Sequence, residues 1–406
     1  MPALTYTQKN AVLLCLRDAV FGVTLLLSSG ALFQALLMAL GLSERQVGMI
    51  TSIAYFAQIA AIFAGLFLTD RIRRVIPVMT FLTFPMGLFF AGFAVYCGLQ
   101  DRAGLFVFAS AAVVLYHLLL GLRNIFDYKL PYLILHMKDY GTVLSVSGIL
   151  LYAVGIGCSL LLKWLLDRND YFTVMTPMLW ICAAFAAAAS FTQLLFRPHR
   201  TSMEENADTT APVISIWKLI RSSRFTVLAL PNLLRGITMG IISCAALFAA
   251  YDYRMPASDL TLLTTAANTA SLIGNLIFLF FSLRKSVRFP CLLGCAITVL
   301  FPLTVCFPSA NSFLFIYFII QIGQILANGT IPVLITQFVP YDEIGAYTSL
   351  RMMITNAGSA VGSAVVGMLI GVIPSVWFYI AAAVFQLICG VVYVVYHKKH
   401  KRVEFL

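Results

Sequence analysis

The chain has 406 residues, 61% of them hydrophobic and only 11% charged, with a formal net charge of +11. A soluble domain is about 25% charged, so this composition excludes an ordinary water-soluble globule. The basic residues cluster in short loops between apolar stretches, which reads as anchoring beside anionic lipid rather than as a nucleic-acid face.

Twelve apolar stretches follow in chain order, at about 11–39, 46–69, 75–98, 104–136, 141–163, 174–195, 225–250, 259–282, 289–308, 312–337, 345–372 and 374–396. Each is long enough to cross a hydrocarbon core of roughly 30 Å as a helix. Helices satisfy their own backbone in lipid, and the alternating ten-residue segments of a membrane barrel are absent. The fourth stretch exceeds one crossing, and Pro131 is the expected place for a bend. The first ten residues do not read as a cleavable signal, because the apolar run after them is too long.

Placing both termini in the cytoplasm puts Arg71, Arg73, Arg74, Arg197, Arg284 and Lys398, among others, on the inner side. It leaves Arg45, Arg102, Lys163, Arg168 and Arg254 outside, a strong positive-inside asymmetry. All nine cysteines fall in apolar stretches and read as small filler; no metal-ligand set stands out. The triplet Asn328-Gly329-Thr330 lies mid-span and is expected to be silent as a glycosylation site.

Residues 196–224 form the one long hydrophilic stretch, with six apolar spans before it and six after it. Within it, 214–220 could form a short surface helix carrying Trp217. The chain therefore divides into 1–196, a central loop 197–224, and 225–406. The halves echo each other. Arg17 in LLCLRDAVFG and Arg235 in PNLLRGITMG open spans one and seven in the same setting. LPYLILHMKDYGTVLS (130–145) resembles IPVLITQFVPYDEIGAYTS (331–349). Internal repeats with an even number of spans are parallel repeats related by an axis along the membrane normal.

Twelve spans, a cytoplasmic central loop and the basic segment GLFLTDRIRR (65–74) resemble the major facilitator superfamily, over essentially the whole chain. In the family's loop motif, Asp70, Arg71 and Arg74 match; Gly65 lies one residue early, and Arg73 stands where a second glycine is expected. The resemblance implies an all-α membrane protein of two pseudo-symmetric six-helix bundles. It implies that spans one, four, seven and ten line a central cavity, and that Asp70 docks at the start of span eleven as a gate. A helix N-terminus attracts a carboxylate, which suits that role. The competing reading is a plain positive-inside loop.

The intramembrane polar residues fall on those same spans. Span one carries Arg17 and Asp18, span four Arg123, Asp127 and Lys129, span seven Arg235, and span ten Gln321, Gln324 and Asn328. A charge in the bilayer normally faces a wet interior and a partner. Arg123 and Asp127 are four apart and share a helix face. Repeat alignment sets them opposite Gln324 and Asn328 near the midplane, as a binding site or as a structural ion pair closing span four. Arg17 and Arg235 lie nearer the cytoplasmic side, as duplicated snorkelling anchors or as a cationic clamp. Asp18 projects about 100° from Arg17 around the helix and is expected to serve another helix. His117 is a structural hydrogen-bonding group or a proton relay. Asn268 and Asn275 share a face of span eight, lining the cavity or bonding between helices. The small residues of span eleven, Gly358 to Gly367, suit close helix packing.

These expectations describe a secondary active transporter, not an enzyme and without a cofactor. It would move a small organic solute by alternating access, coupled to an ion, expected to be a proton carried by Asp127 or Asp18. Four cations against two acids among the cavity candidates lean the solute toward an anion or zwitterion. Drug or metabolite efflux, sugar uptake, and a flippase or sensor on the same fold stand as alternatives. The partners expected are solute, coupling ion and lipid, without nucleic acid, for a monomer in a bacterial inner membrane.

Overall fold

A computed structural model describes residues 6–28, 30–68, 74–99, 104–135, 137–197, 221, 223–283, 288–306, 309–336 and 344–399. Among these the chain is helical throughout, with one isolated bridge between Ile370 and Ile373. The helices are α1 (Tyr6–Leu26), α2 (Gly30–Ala39), α3 (Glu44–Leu68), α4 (Val75–Thr83), α5 (Met86–Gly98), α6 (Leu105–Ile134), α7 (Met137–Leu166) and α8 (Tyr171–Leu194). After the hydrophilic stretch come α9 (Ser223–Ser243), α10 (Ala245–Tyr253), α11 (Leu260–Leu283), α12 (Arg288–Thr298), a 3-10 turn (Phe301–Cys306), α13 (Ala310–Thr336), α14 (Ile344–Leu369) and α15 (Val376–Lys399).

These elements coincide with the apolar stretches to within a few residues, but four stretches are broken. Gly30, with φ +73°, separates α1 from α2 in a conformation that L side chains rarely adopt. Pro85 opens α5 where the missing amide hydrogen breaks the α4–α5 ladder. The pair α9–α10 bends by 45° at Cys244. The ninth stretch tightens into the 3-10 turn at Pro302. The bend expected at Pro131 is not a break, since α6 runs through it to Ile134. Among the described residues, nine helical segments are long and apolar enough to cross a membrane, or ten if the bent pair is one, and Leu292–Thr304 and Val376–Val392 are shorter apolar helices.

Outward-facing surfaces are apolar where lipid contact is expected. Phe81 on α4 is 74% exposed, and Trp180 on α8 and Trp377 on α15 are also exposed. Inside, Phe89, Phe90, Phe93 and Tyr116 pack ring against ring, three of the pairs edge to face and Phe89–Tyr116 tilted, and Phe248, Phe301 and Tyr379 form a second aromatic knot. Tails of lipid are as apolar as leucine, so such shape-matched packing holds helices together in place of a water-driven hydrophobic effect.

The glycines of α14 pack as their spacing predicts. A Cβ on Gly358 or Gly362 would strike the backbone of Leu233 or Ile237 on α9. At the other face of α14, Gly367 meets Gly48 of α3 backbone to backbone, and the Ser52 hydroxyl donates to the Ala360 carbonyl at 2.7 Å. The α3–α14 and α7–α11 contacts join elements from before and after the hydrophilic stretch. Lys163 at the end of α7 pairs with Asp259, just before α11, at 3.0 Å. The Gln34 amide on α2 donates to the Ser243 carbonyl at 2.9 Å.

Candidate functional site

Four ionisable side chains meet between α1 and α6. Arg17 donates from Nη1 to Asp127 Oδ1 at 2.7 Å and from Nε to Asp18 Oδ1 at 2.8 Å. Arg123 reaches Asp127 Oδ2 from Nη2 at 3.1 Å, one helical turn away on α6. Its guanidinium lies 3.7 Å from the centre of the Phe21 ring, a cation–π contact. The Ser147 hydroxyl on α7 donates to Asp18 Oδ2 at 2.5 Å. Both arginines are almost wholly buried and the two aspartates are partly so. A buried guanidinium is tolerable only with its charge answered by paired, hydrogen-bonded acceptors. Here two cations face two anions, and one carboxylate bridges both arginines.

This arrangement revises several expectations. Asp18 does serve another helix, through Ser147, but it also neutralises Arg17. Their Cβ vectors diverge by about 100°; the long arginine side chain folds back across that angle, so adjacency in sequence does not keep the charges apart. Arg17 is 4% exposed and does not snorkel outward. Nor is it an open clamp, because its donors are taken by carboxylates. Arg235 is likewise buried on α9, beside the close crossing of Gly236 with Thr355 of α14. The four-to-two excess of cations is therefore not a free cationic surface in this cluster. The side chain of Lys129 lies outside the described residues.

Gln324 departs from its expected place. Its Nε2 donates to the Thr298 hydroxyl on α12 at 3.1 Å. It faces a neighbouring helix rather than Arg123, because a buried amide takes the nearest hydroxyl. The side chain of Asn328, and Asp70 and Arg71 of the loop motif, lie outside the described residues, as does the expected surface helix with Trp217. Arg74 is exposed and precedes α4 without a side-chain capping bond.

His117 is a structural bridge. Its Nδ1 lies 2.8 Å from Gln58 Nε2 on α3, and Gln58 Oε1 accepts from Asn356 Nδ2 on α14 at 3.3 Å. With the histidine neutral, Gln58 donates to the ring and Asn356 donates to Gln58, a chain with one consistent sense. Gln58 and Asn356 were not singled out in the sequence. Nothing in their spacing marks them, since the contact joins positions almost three hundred residues apart.

Along α1 and α7 a cavity of about 340 Å³ begins one turn from the charged cluster. Gly22 lies four residues beyond Asp18, and Leu151 four beyond Ser147, about 6 Å along each axis. The lining also includes Leu25, Tyr152, Gly155, Thr264, Asn268 and Tyr317. Asn268 thus lines the cavity. Asn275, one of the two candidates on that face, instead donates to the Ser271 carbonyl at 2.7 Å. Ser147, Tyr152 and Gly155 carry no sequence signal, because one serine, one tyrosine and one glycine in an apolar helix do not stand out beside charged and amide residues.

Residues 228–405 match the family model described as Major Facilitator Superfamily. Over nearly the whole chain the fold is similar to the nucleoside transporter NupG, at 14% identity and a TM-score of 0.69, covering 97% of this chain and 100% of that one. It is similar to a variant of the E. coli fucose:proton symporter FucP, at 15% identity and TM-score 0.66, covering 96% and 99%. It is similar also to a bacterial homologue of the iron transporter ferroportin in an outward-facing state, at 14% identity and TM-score 0.67, covering 96% and 99%. No curated protein matches the sequence.

Proposed function

We propose that this chain, whose residues 228–405 match the major facilitator superfamily model and whose fold is similar to transporters of that kind, is a secondary active transporter of a small organic solute. The observation that carries the reading is the cavity set one helical turn from a balanced cluster of two arginines and two aspartates. A solute pocket next to ionisable groups that can exchange partners is what coupling requires. The similar structures include a nucleoside transporter and a fucose:proton symporter.

In this reading twelve crossings form two bundles, 1–196 and 225–406, joined by the loop 197–224, with both termini cytoplasmic in a bacterial inner membrane. The end holding Lys163 and Asp259 is then the outer end. The α3–α14 and α7–α11 contacts close that end, so the arrangement faces inward. The bundles rock about the cavity to open the other side. The chain acts as a carrier, not as a catalyst, with lipid around a monomer.

A proton on Asp127 would cancel the negative charge that Arg17 and Arg123 share. Those arginines would then seek other partners, and the mutual position of α1 and α6 would change. Proton arrival and solute movement are coupled by that exchange. With Arg17 and Arg123 paired to Asp18 and Asp127, the cluster offers little free positive charge to an anionic or zwitterionic solute.

The test is solute counterflow. Protein in liposomes preloaded with candidate solutes should accelerate exchange of labelled solute at least tenfold over empty liposomes. No accelerated exchange for any solute that stabilises the purified protein against heat would reject the reading. A ligand at 100 times its Kd raises stability by about 2.7 kcal/mol, enough to see.

A further inference from the structure

We infer that the cavity selects uncharged solutes bearing hydrogen-bond acceptors, and that Asn268, set against Gly155, is the residue that reads them. This rests on the transporter reading and names its substrate class. The cavity walls described above carry no ionised side chain: their polar groups are the hydroxyls of Tyr152, Thr264 and Tyr317 and the amide of Asn268. The charged cluster one helical turn away, Arg17, Asp18, Arg123 and Asp127, is paired within itself. A charged solute entering such walls would lose its hydration without meeting a free counter-charge. An uncharged solute loses less, and neutral amides and hydroxyls replace its water.

Asn268 supplies the specific signal. Its Nδ2 is buried and has no hydrogen-bond partner. Buried amide donors are nearly always paired, so an unpaired one calls for an explanation. It sits at the crossing of α11 with α7, where a Cβ on Gly155 would come within 2.8 Å of it. Glycine therefore keeps a slot into which the amide turns. The two residues belong to the two proposed bundles, so the slot changes shape whenever the bundles rock. In the arrangement seen here the donor waits without an acceptor. A carbonyl, ring nitrogen or hydroxyl oxygen of a solute in the cavity supplies one, after rotation of the asparagine side chain. An unmet buried donor is costly and a met one is not, which makes this contact selective for acceptor-bearing solutes. Tyr152 and Tyr317 flank the cavity with ring surface that suits a flat or cyclic solute.

The experiment compares three classes of probe in thermal shift and counterflow: uridine, fucose and mannitol as uncharged solutes, lactate and benzoate as anions, and choline and tetraphenylphosphonium as cations. Wild type, Asn268→Ala and Gly155→Ala are tested, with ligand-free melting confirming that each variant folds. At least one uncharged probe should stabilise the wild type and be exchanged. Its apparent Kd should rise about tenfold in Asn268→Ala, the cost of one hydrogen bond. Gly155→Ala should weaken the same probe by pushing the Asn268 amide out of its slot, without removing that amide from the chain. Exchange carried only by anions or cations would overturn the inference and leave the transporter reading standing. So would an uncharged probe whose affinity is unmoved by both substitutions. Absence of exchange by every probe would overturn both readings.

Discussion

Ser147 donates its hydroxyl to Asp18 across α7 and α1 at 2.5 Å, and this bond ties the charged cluster to the wall of the cavity. Four residues further along the same two helices, Leu151 and Gly22 line that cavity. In the proposed transport reading, a change in the charge of Asp18 would reach the cavity wall through this bond. Asp18 has three donors: Nε and Nη2 of Arg17 on one oxygen and Ser147 on the other. Substituting Ser147→Ala removes one bond to a charged group and should lower stability by about 1.5–3 kcal/mol. Asp18→Ala should cost more, because it leaves Arg17 with fewer acceptors. Equal unfolding midpoints for the two variants in detergent would contradict this ranking.

Asp127 is the shared acceptor, and its removal should be the most damaging single change in the cluster. Breaking a buried pair by deleting one partner costs about 3–5 kcal/mol, because a charge stays buried without its answer. Asp127→Ala should reach that range, while Arg123→Met combined with Asp127→Leu should cost less than the sum of the single changes. A double-mutant cycle read from denaturation in detergent measures the difference. Strict additivity would show that the two residues do not share the bond seen at 3.1 Å.

The chain Asn356–Gln58–His117 links α14, α3 and α6. Gln58→Leu should leave both neighbours short of a partner and destabilise by about 1–3 kcal/mol. Gln58→Leu and Asn356→Leu together should be less than additive, with a coupling of about 0.5 kcal/mol or more. Independent effects would mean that the bridge does not hold these helices together.

In the proposed inward-facing reading, closure at the Lys163 end rests on the backbone contact between Gly48 and Gly367. A bulky side chain at either position must push α3 from α14. Spin labels at Arg45 and Val372 should therefore report a longer distance in Gly48→Leu than in wild type. The Lys163–Asp259 pair lies at the same end but is partly exposed, so Asp259→Asn should shift this opening by under about 1 kcal/mol and lose its effect in high salt. A large, salt-independent effect of Asp259→Asn, with none from Gly48→Leu, would reverse the assignment of which contact closes this end.

The helices were legible because lipid imposes a simple rule: a backbone that cannot find water must satisfy itself over the width of the bilayer. Long apolar runs with basic loops carry that rule openly, down to the limits of α3 and α11. Breaks were harder. Pro85 and the bend at Cys244 sit inside runs whose composition does not change. The candidate site was legible in part for the same reason. Arg123, Asp127, Arg17 and Asp18 stand out because charges inside apolar runs are rare, and the structure brings all four together. How they pair was not legible. Asp18 was set apart from Arg17 by helix geometry, yet arginine is long enough to fold back to it. Gln324 was expected to face Arg123 by repeat symmetry, yet a local hydroxyl, Thr298, was nearer. Neutral cavity residues such as Tyr152 and Gly155 give no signal in a sequence with 17 tyrosines and 26 glycines; only their position around the cavity identifies them.

The central claim is that solute movement is coupled through the arginine–aspartate cluster, and Asp127→Asn tests it most directly. The variant keeps the shape of the side chain but cannot gain or lose a proton. In liposomes, a solute that the wild type accumulates under an imposed pH gradient should no longer be accumulated by Asp127→Asn, while exchange of labelled for unlabelled solute continues at a comparable rate. Accumulation that persists under the gradient in Asp127→Asn would contradict the account.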